Sequence, residues 1–276
     1  MTADSPIAPP AMIETSGLGR QFGSNWAVRD LSLRIAAGEL YGFLGQNGAG
    51  KTTTIRMLTG VLRPSAGRLR IAGLGHDDGA TRIKQITGLV PDTPPLYDYL
   101  TGRQYVALVA SLWRIDRRTR DQRCERLFDL LGLTASADQL CKGYSHGMRK
   151  KVHIAAVLTT APRVLLLDEP TTGLDPLSTR RFKDLLLEQS RLGTTILLST
   201  HVLDVAAEIC DRIGILADGR LRCEGTPAEL IAAHGGGSFE DVFLKITAAA
   251  AGDARGGTHA GATAAAADPD DEPAAR

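Results

Sequence analysis

Residues Gly45-Gln46-Asn47-Gly48-Ala49-Gly50-Lys51-Thr52-Thr53 constrain this chain more than any other stretch. They match the pattern G-x-x-x-x-G-K followed by Ser or Thr, and they come directly after Leu40 to Leu44, an apolar run that reads as a buried strand. Glycines allow a tight turn whose backbone N–H groups face phosphate oxygens, while Lys51 adds a point charge and Thr52 a hydroxyl suited to Mg²⁺. Lys51 to Leu58 then reads as a helix whose positive end is aimed at the phosphates. A nucleotide site between strand and helix is the expectation. The same pattern serves GTPases, small-molecule kinases and recombinases, so the loop alone does not choose among them.

At 276 residues the chain can form one large or two small domains with a sizeable core. Its 32 basic and 31 acidic residues, net +1, give no electrostatic footprint for nucleic acid. Cys124, Cys141, Cys210 and Cys223 form no C-x-x-C pair, so neither a zinc site nor a redox motif is indicated and reduced thiols are expected. Met1 to Pro10 is polar and proline-rich, without the apolar stretch of a signal peptide. Apolar runs such as Val106 to Ala110 fall far below the roughly 20 residues that cross a bilayer. The chain is therefore read as soluble by itself.

Residues 1–12 read as a disordered lead, and strand-like patterning begins at Ile13. Trp26 to Ile35 alternates as a half-buried strand, Ala37-Gly38-Glu39 turns into the strand before the glycine loop, and Arg68 to Ile71 is a further short strand. Pro91-Asp92-Thr93-Pro94-Pro95 is a rigid loop, since its prolines forbid helix. Thr101 to Trp113 and Arg117 to Leu131 carry helical patterns, and a third helix runs from an N-cap at Ser145 to about Thr160. Together they form a helical subdomain over about residues 98–160.

Val164 to Leu167 and Thr195 to Leu198 are continuous apolar runs separated by a helical segment, Thr179 to Leu192, as expected of parallel strands covered on both faces. An α/β parallel sheet is the predicted fold class. Ile213 to Glu224 reads as a hairpin, Thr226 caps a short helix, and Phe239 to Ile246 is a last amphipathic piece. Residues 248–276, rich in Ala, Gly and acid, read as a disordered tail.

The run Val164 to Leu167 ends in Asp168-Glu169-Pro170, and paired carboxylates at the C-terminal end of a buried strand sit where ligands bind. Asp168 is placed to hold Mg²⁺ and Glu169 to polarise the water that attacks a γ-phosphate. Between loop and carboxylates lies Tyr144-Ser145-His146-Gly147-Met148-Arg149-Lys150-Lys151. After them come Gly173-Leu174-Asp175-Pro176 and Thr200-His201.

The order and spacing of these motifs resemble the ATP-binding cassette (ABC) family over roughly Ile13 to Ile246. That resemblance implies a P-loop NTPase with a parallel sheet core, an antiparallel β subdomain and an inserted helical subdomain, all within residues 13–247. It implies ATP and Mg²⁺ as ligands of residues 45–53, with Lys51 and His201 joining Glu169 in catalysis and Thr52, Asp168 and Asp92 near the metal. Ser145 and Gly147 match the signature that faces the γ-phosphate of a second cassette, Asp175 matches the loop at that dimer seam, and His201 matches the switch histidine. Phe22 takes the position of an aromatic ring stacked on adenine, with an ordinary core phenylalanine as the alternative.

Two positions depart from the family pattern. The signature reads Tyr-Ser-His-Gly-Met where Leu-Ser-Gly-Gly-Gln is common, and Asp92 stands at the glutamine-loop position. An aspartate can join a metal shell through water but cannot donate an amide hydrogen bond. These departures, with the Thr-Pro-Ala-Glu-Leu and Phe-Leu-Lys-Ile-Thr endings, resemble the single-cassette ATPases of bacterial ABC-2-type exporters, including drug and antibiotic self-resistance systems. The implied function is an ATPase subunit on the cytoplasmic face of the membrane, peripheral through a separately encoded integral membrane permease, paired with a second cassette of identical sequence. Two alternatives compete. A soluble ABC ATPase acting on ribosomes or DNA would carry a second cassette or long coiled coils, and a non-hydrolysing regulator would lose Glu169 or His201; neither departure occurs in this sequence.

Overall fold

The computed structural model describes residues 10–256. Two β-structures dominate it. The first is a three-stranded antiparallel sheet ordered β2-β1-β4, from β1 (Ala11–Phe22), β2 (Asn25–Ala36) and β4 (Ala66–Ile71). The second is six-stranded and contains β3 (Leu40–Leu44), β5 (Thr87–Val90), β6 (Val164–Asp168), β7 (Thr195–Thr200), β8 (Arg212–Ala217) and β9 (Arg220–Gly225). Its order is β5-β6-β7-β3-β8-β9, parallel except for the hairpin strand β9.

The continuous apolar runs are explained by a core on each face of the larger sheet. Side chains alternate along a strand, so Leu40 and Leu44, Leu165 and Leu167, and Ile196 and Leu198 enter one core. Tyr41 and Phe43, Val164 and Leu166, and Leu197 enter the other, where they meet Ile13, Leu31 and Ile35 of the antiparallel sheet. The second core also takes Ile55, Met57 and Leu58 from α1 (Lys51–Leu58).

The first core continues into the helical subdomain of α3 (Gly102–Leu112), α4 (Arg117–Leu130) and α5 (His146–Thr159). Thr101 closes a capping box with Gln104 at the start of α3, Asp116 caps α4, and Ser145 caps α5. Helix α5 lies so close to β5 that a Cβ on Gly88 would come 2.5 Å from Val157 Cγ1, which requires glycine there. Beyond β6 the chain forms α6 (Pro176–Arg191), α7 (Leu203–Ile209), α8 (Pro227–Ala233) and α9 (Phe239–Gly256).

Four differences from the sequence reading stand out. Strand β1 begins at Ala11, inside the stretch read as the lead, because Met12 and Ile13 are buried in the second core. A helix α2 (His76–Ile86) precedes β5 where no element was expected, and of its apolar side chains Ile83 is the one fully buried. The short α7 was also unexpected. Helix α9 runs through Gly256, past the boundary at 248, since its alanines favour helix and Ala250 is buried. Residues 1–9 of the lead and 257–276 of the tail lie outside the described residues.

Candidate active site

The loop from Gly45 to Gly50 is shaped by close packing as much as by turning. A Cβ on Gly45 would lie 2.5 Å from Leu216 O, and one on Gly50 would lie 2.4 Å from Ala27 O, so neither position admits a side chain. Gly50 also has a φ of +106° as the N-cap of α1, a backbone conformation that glycine permits. Gln46, Asn47 and Gly48 form the exposed rim, while Ala49 is buried and bonds by its carbonyl to Gly219 N at 3.1 Å. Lys51 is buried, and its ammonium donates to Gly45 O at 2.7 Å and Gln46 O at 3.3 Å. Thr53, half-buried, follows on the first turn of α1.

Thr52 and Asp168 meet across the sheet. The Thr52 hydroxyl donates to Asp168 Oδ2 at 2.7 Å, and Ser199 Oγ donates to Asp168 Oδ1 at 3.1 Å. Hydroxyl and carboxylate oxygens side by side are the hard donor set that Mg²⁺ takes, so these residues fit that ion.

Glu169 leaves β6 with a φ of +48°, in the left-handed region, at a cost of roughly 1 kcal/mol for an L-residue. Its N–H is held by Ser199 O at 2.9 Å. Carboxylate oxygen Oε2 is engaged by Thr200 Oγ1 at 3.2 Å, His201 N at 3.4 Å and His201 Nδ1 at 2.9 Å. An ionised carboxylate only accepts, so the proton of this bond sits on His201 Nδ1. The other oxygen, Oε1, lies 3.4 Å from Lys51 Nζ without hydrogen-bonding geometry, and is a buried acceptor with no bond among the described residues. Glu169 therefore has one oxygen fixed and one free to accept a proton.

Of the signature residues, Ser145 is exposed and Gly147 half-buried. Ser145 Oγ accepts from Met148 N at 3.3 Å, and a Cβ on Gly147 would sit 2.7 Å from Gly173 O, so the start of α5 is pressed onto the Gly173 to Asp175 loop. Asp175 caps α6 by accepting from Ser178 N at 2.8 Å and Ser178 Oγ at 2.5 Å. Those bonds, the side-chain one first, hold its carboxyl below the usual carboxylate value. No bond among the described residues joins Ser145 or Gly147 to the 45–53 loop of the same chain. Phe22 ends β1 half exposed, with the Arg20 guanidinium 4.6 Å from its ring centre, so it is no core side chain. With Arg20 over one face, the opposite face is left to stack on a flat partner.

Asp92 has a partner the sequence did not suggest. Its Oδ1 accepts from Lys150 Nζ at 3.1 Å, and no bond joins it to Thr52 or Asp168. Sequence reasoning also passed over Ser199 and named Thr200 only as the neighbour of His201, although two hydroxyls ending an apolar strand run were a visible signal. Lys150 had none, being the middle member of a basic triplet.

Known proteins resemble this chain in both sequence and shape. It matches the ABC transporter family over residues 28–172. It is 41% identical over 227 residues to the daunorubicin/doxorubicin resistance ATP-binding protein DrrA of Streptomyces peucetius, covering 80% of this chain and 67% of that protein. The solved structure of an ATP-binding subunit of an ABC transporter superposes with a TM-score of 0.81 at 30% identity, over 86% of this chain and 99% of the other. A dimeric ATP-binding cassette in a post-hydrolysis state, bound to ADP and Pi, superposes at 0.71 with 25% identity, over 78% and 98% of the two chains. The family match, the 41% identical relative and the two superposed cassettes together show that the chain belongs to the ABC transporter family as an ATP-binding, ATP-hydrolysing subunit.

Proposed function

We propose that this ATPase powers a separately encoded integral membrane permease of the ABC-2 exporter type, from the cytoplasmic face of the membrane, as a pair of identical cassettes enclosing ATP. The resistance protein among its relatives supports the export reading, and the dimeric neighbour supports the pairing. No described helix is long and apolar enough to cross a membrane. The net charge of +1 supports no nucleic-acid partner.

The observation that carries the catalytic assignment is Glu169, with Oε2 bonded and Oε1 free beside Lys51. In this role Oε1 polarises the attacking water, and His201 and Thr200 hold the carboxylate in one orientation. Lys51 and the N–H groups of residues 45–53 hold the phosphates, Phe22 stacks on adenine, and Thr52 with Asp168 would hold Mg²⁺. When bound there, Mg²⁺ neutralises charge on the phosphate oxygens. Ser145 and Gly147 complete the site of the partner cassette, with Asp175 at the seam. Asp92 is paired with Lys150 and would join the metal shell only through water.

Glu169→Gln tests the assignment. The amide keeps the shape but is a far weaker proton acceptor, so steady-state turnover falls on the order of 10²-fold or more while ATP still binds. Near-normal turnover in that variant would remove Glu169 from the catalytic role.

A further inference from the structure

Lys150 is a fully buried ammonium with all three of its protons assigned. It donates to Asp92 Oδ1 at 3.1 Å, Glu169 O at 2.8 Å and Thr172 O at 3.1 Å. A charge this deep in protein is tolerated only when its donors are matched, and here a single carboxylate supplies the opposite charge. That carboxylate belongs to a half-exposed residue in the loop after β5, whereas the two carbonyls belong to the turn that carries the catalytic glutamate.

The peptide groups of Glu169 are thus pinned on both sides. Its N–H is held by Ser199 O at 2.9 Å on β7, and its C=O accepts from Lys150 Nζ on α5 at 2.8 Å and from Thr172 N in the same turn at 3.3 Å. The residue between these bonds has the left-handed φ of +48°, which an L-residue keeps only where its surroundings enforce it. Removing the Lys150 bond takes the side-chain anchor from that carbonyl and leaves it the Thr172 N–H of its own turn, so the backbone from which the carboxylate projects is loosened at one end while Oε2 keeps its bonds to Thr200 and His201.

We infer that Lys150 is a positioning residue, which ties the Asp92 loop to the backbone of Glu169 and holds the catalytic carboxylate in its working orientation. Asp92 acts through it, as the counter-charge that keeps the ammonium in place, and a displacement of the Asp92 loop reaches Glu169 by this route. The inference rests on the assignment of Glu169 as the group that polarises water.

The test compares Lys150→Met, Asp92→Ala, Asp92→Asn and the double variant Asp92→Ala/Lys150→Met in the full chain. It measures kcat and KM for ATP, nucleotide affinity with a fluorescent ATP analogue, and the thermal midpoint. Misaiming a catalytic group costs rate rather than binding, so Asp92→Ala lowers kcat on the order of 10-fold, and Lys150→Met by up to about 10²-fold, with KM and affinity held within about twofold. Asp92→Asn keeps an acceptor for the ammonium and recovers kcat to within about threefold of wild type. The double variant is no slower than Lys150→Met alone, because both changes break one chain of contacts.

Parallel losses of affinity and thermal midpoint, with kcat of the folded protein unchanged, would make Lys150 a purely structural residue and overturn the inference. Additive losses in the double variant would overturn the link to Asp92. Should Lys150→Met not fold, the half-exposed Asp92 carries the test alone, and a normal kcat in Asp92→Ala overturns the inference. Glu169→Gln run alongside separates the two claims: active Glu169→Gln defeats the parent assignment, while inactive Glu169→Gln with fully active Asp92→Ala defeats the inference only.

Discussion

His153 lies one turn beyond Lys150 on α5, buried, with Nδ1 2.8 Å from the Tyr105 hydroxyl and Nε2 3.1 Å from Leu89 O. A carbonyl accepts only, so Nε2 carries a proton, and the Tyr105 hydroxyl stands between Nδ1 and Pro95 O, which lies 3.3 Å from it. Burial pushes its pKa below the ordinary imidazole value of 6.5, and pushes the Tyr105 phenol up to about 12. The unfolded chain therefore binds a proton at His153 more readily than the folded one, and this contribution to stability is present above about pH 6.5 and lost as pH falls through the depressed folded value. His153→Gln can form both bonds without titrating. Between pH 7.5 and about 5.5 the thermal midpoint of wild type is expected to fall more than that of His153→Gln. Equal slopes in a differential scanning series would show that His153 does not resist protonation. At this scale the sequence disclosed Thr52, Asp168 and Glu169, because motif spacing and strand ends announce them. It concealed Lys150 and His153, whose importance comes from burial among partners distant in the chain.

Helix α5 combines roles that its sequence only partly revealed. Ser145 marked its start, and its end fell where expected, because an N-cap hydroxyl and a sustained apolar pattern are local signals. Its near contact with β5 at Gly88 is a tertiary fact that neither segment encodes alone. Helices α2 and α7 were missed for a related reason: they are short or bury few large side chains, so the helical period has little to act upon. Helix α9 corrects the sequence reading most usefully. Val242, Phe243 and Ile246 enter the first core, and the helix continues along the alanines that had been assigned to the tail. Phe243→Ala is expected to destabilise the chain by about 3 kcal/mol in urea unfolding, as for other buried phenylalanines. A loss under about 1 kcal/mol would mean that α9 adds little to the core.

For the whole molecule, neither Ser145 nor Gly147 bonds to the phosphate loop of its own chain among the described residues, which leaves the signature available to a second chain. Lys51→Ala removes the phosphate charge, and Ser145→Arg blocks the signature, so each pure variant should be inactive. In a mixture, the Ser145→Arg chain brings an intact Lys51 to the intact Ser145 of the Lys51→Ala chain. Partial ATP-dependent dimerisation by light scattering is expected to return. If wild type forms an ATP-dependent homodimer and the mixture recovers nothing, the shared-site reading fails. The strand order has a further consequence, for the birth of the protein. Strand β3 pairs with β7 on one side and β8 on the other, and both neighbours lie far downstream. On the ribosome, Leu40 to Leu44 emerges with both edges open and waits for Thr195 and then Arg212 before either is covered. Non-local parallel pairing of this kind forms slowly and leaves apolar edges exposed to aggregation. The glycine loop likewise appears before its carboxylates, since Asp168 and Glu169, and the Ser199, Thr200 and His201 that hold them, have yet to be made.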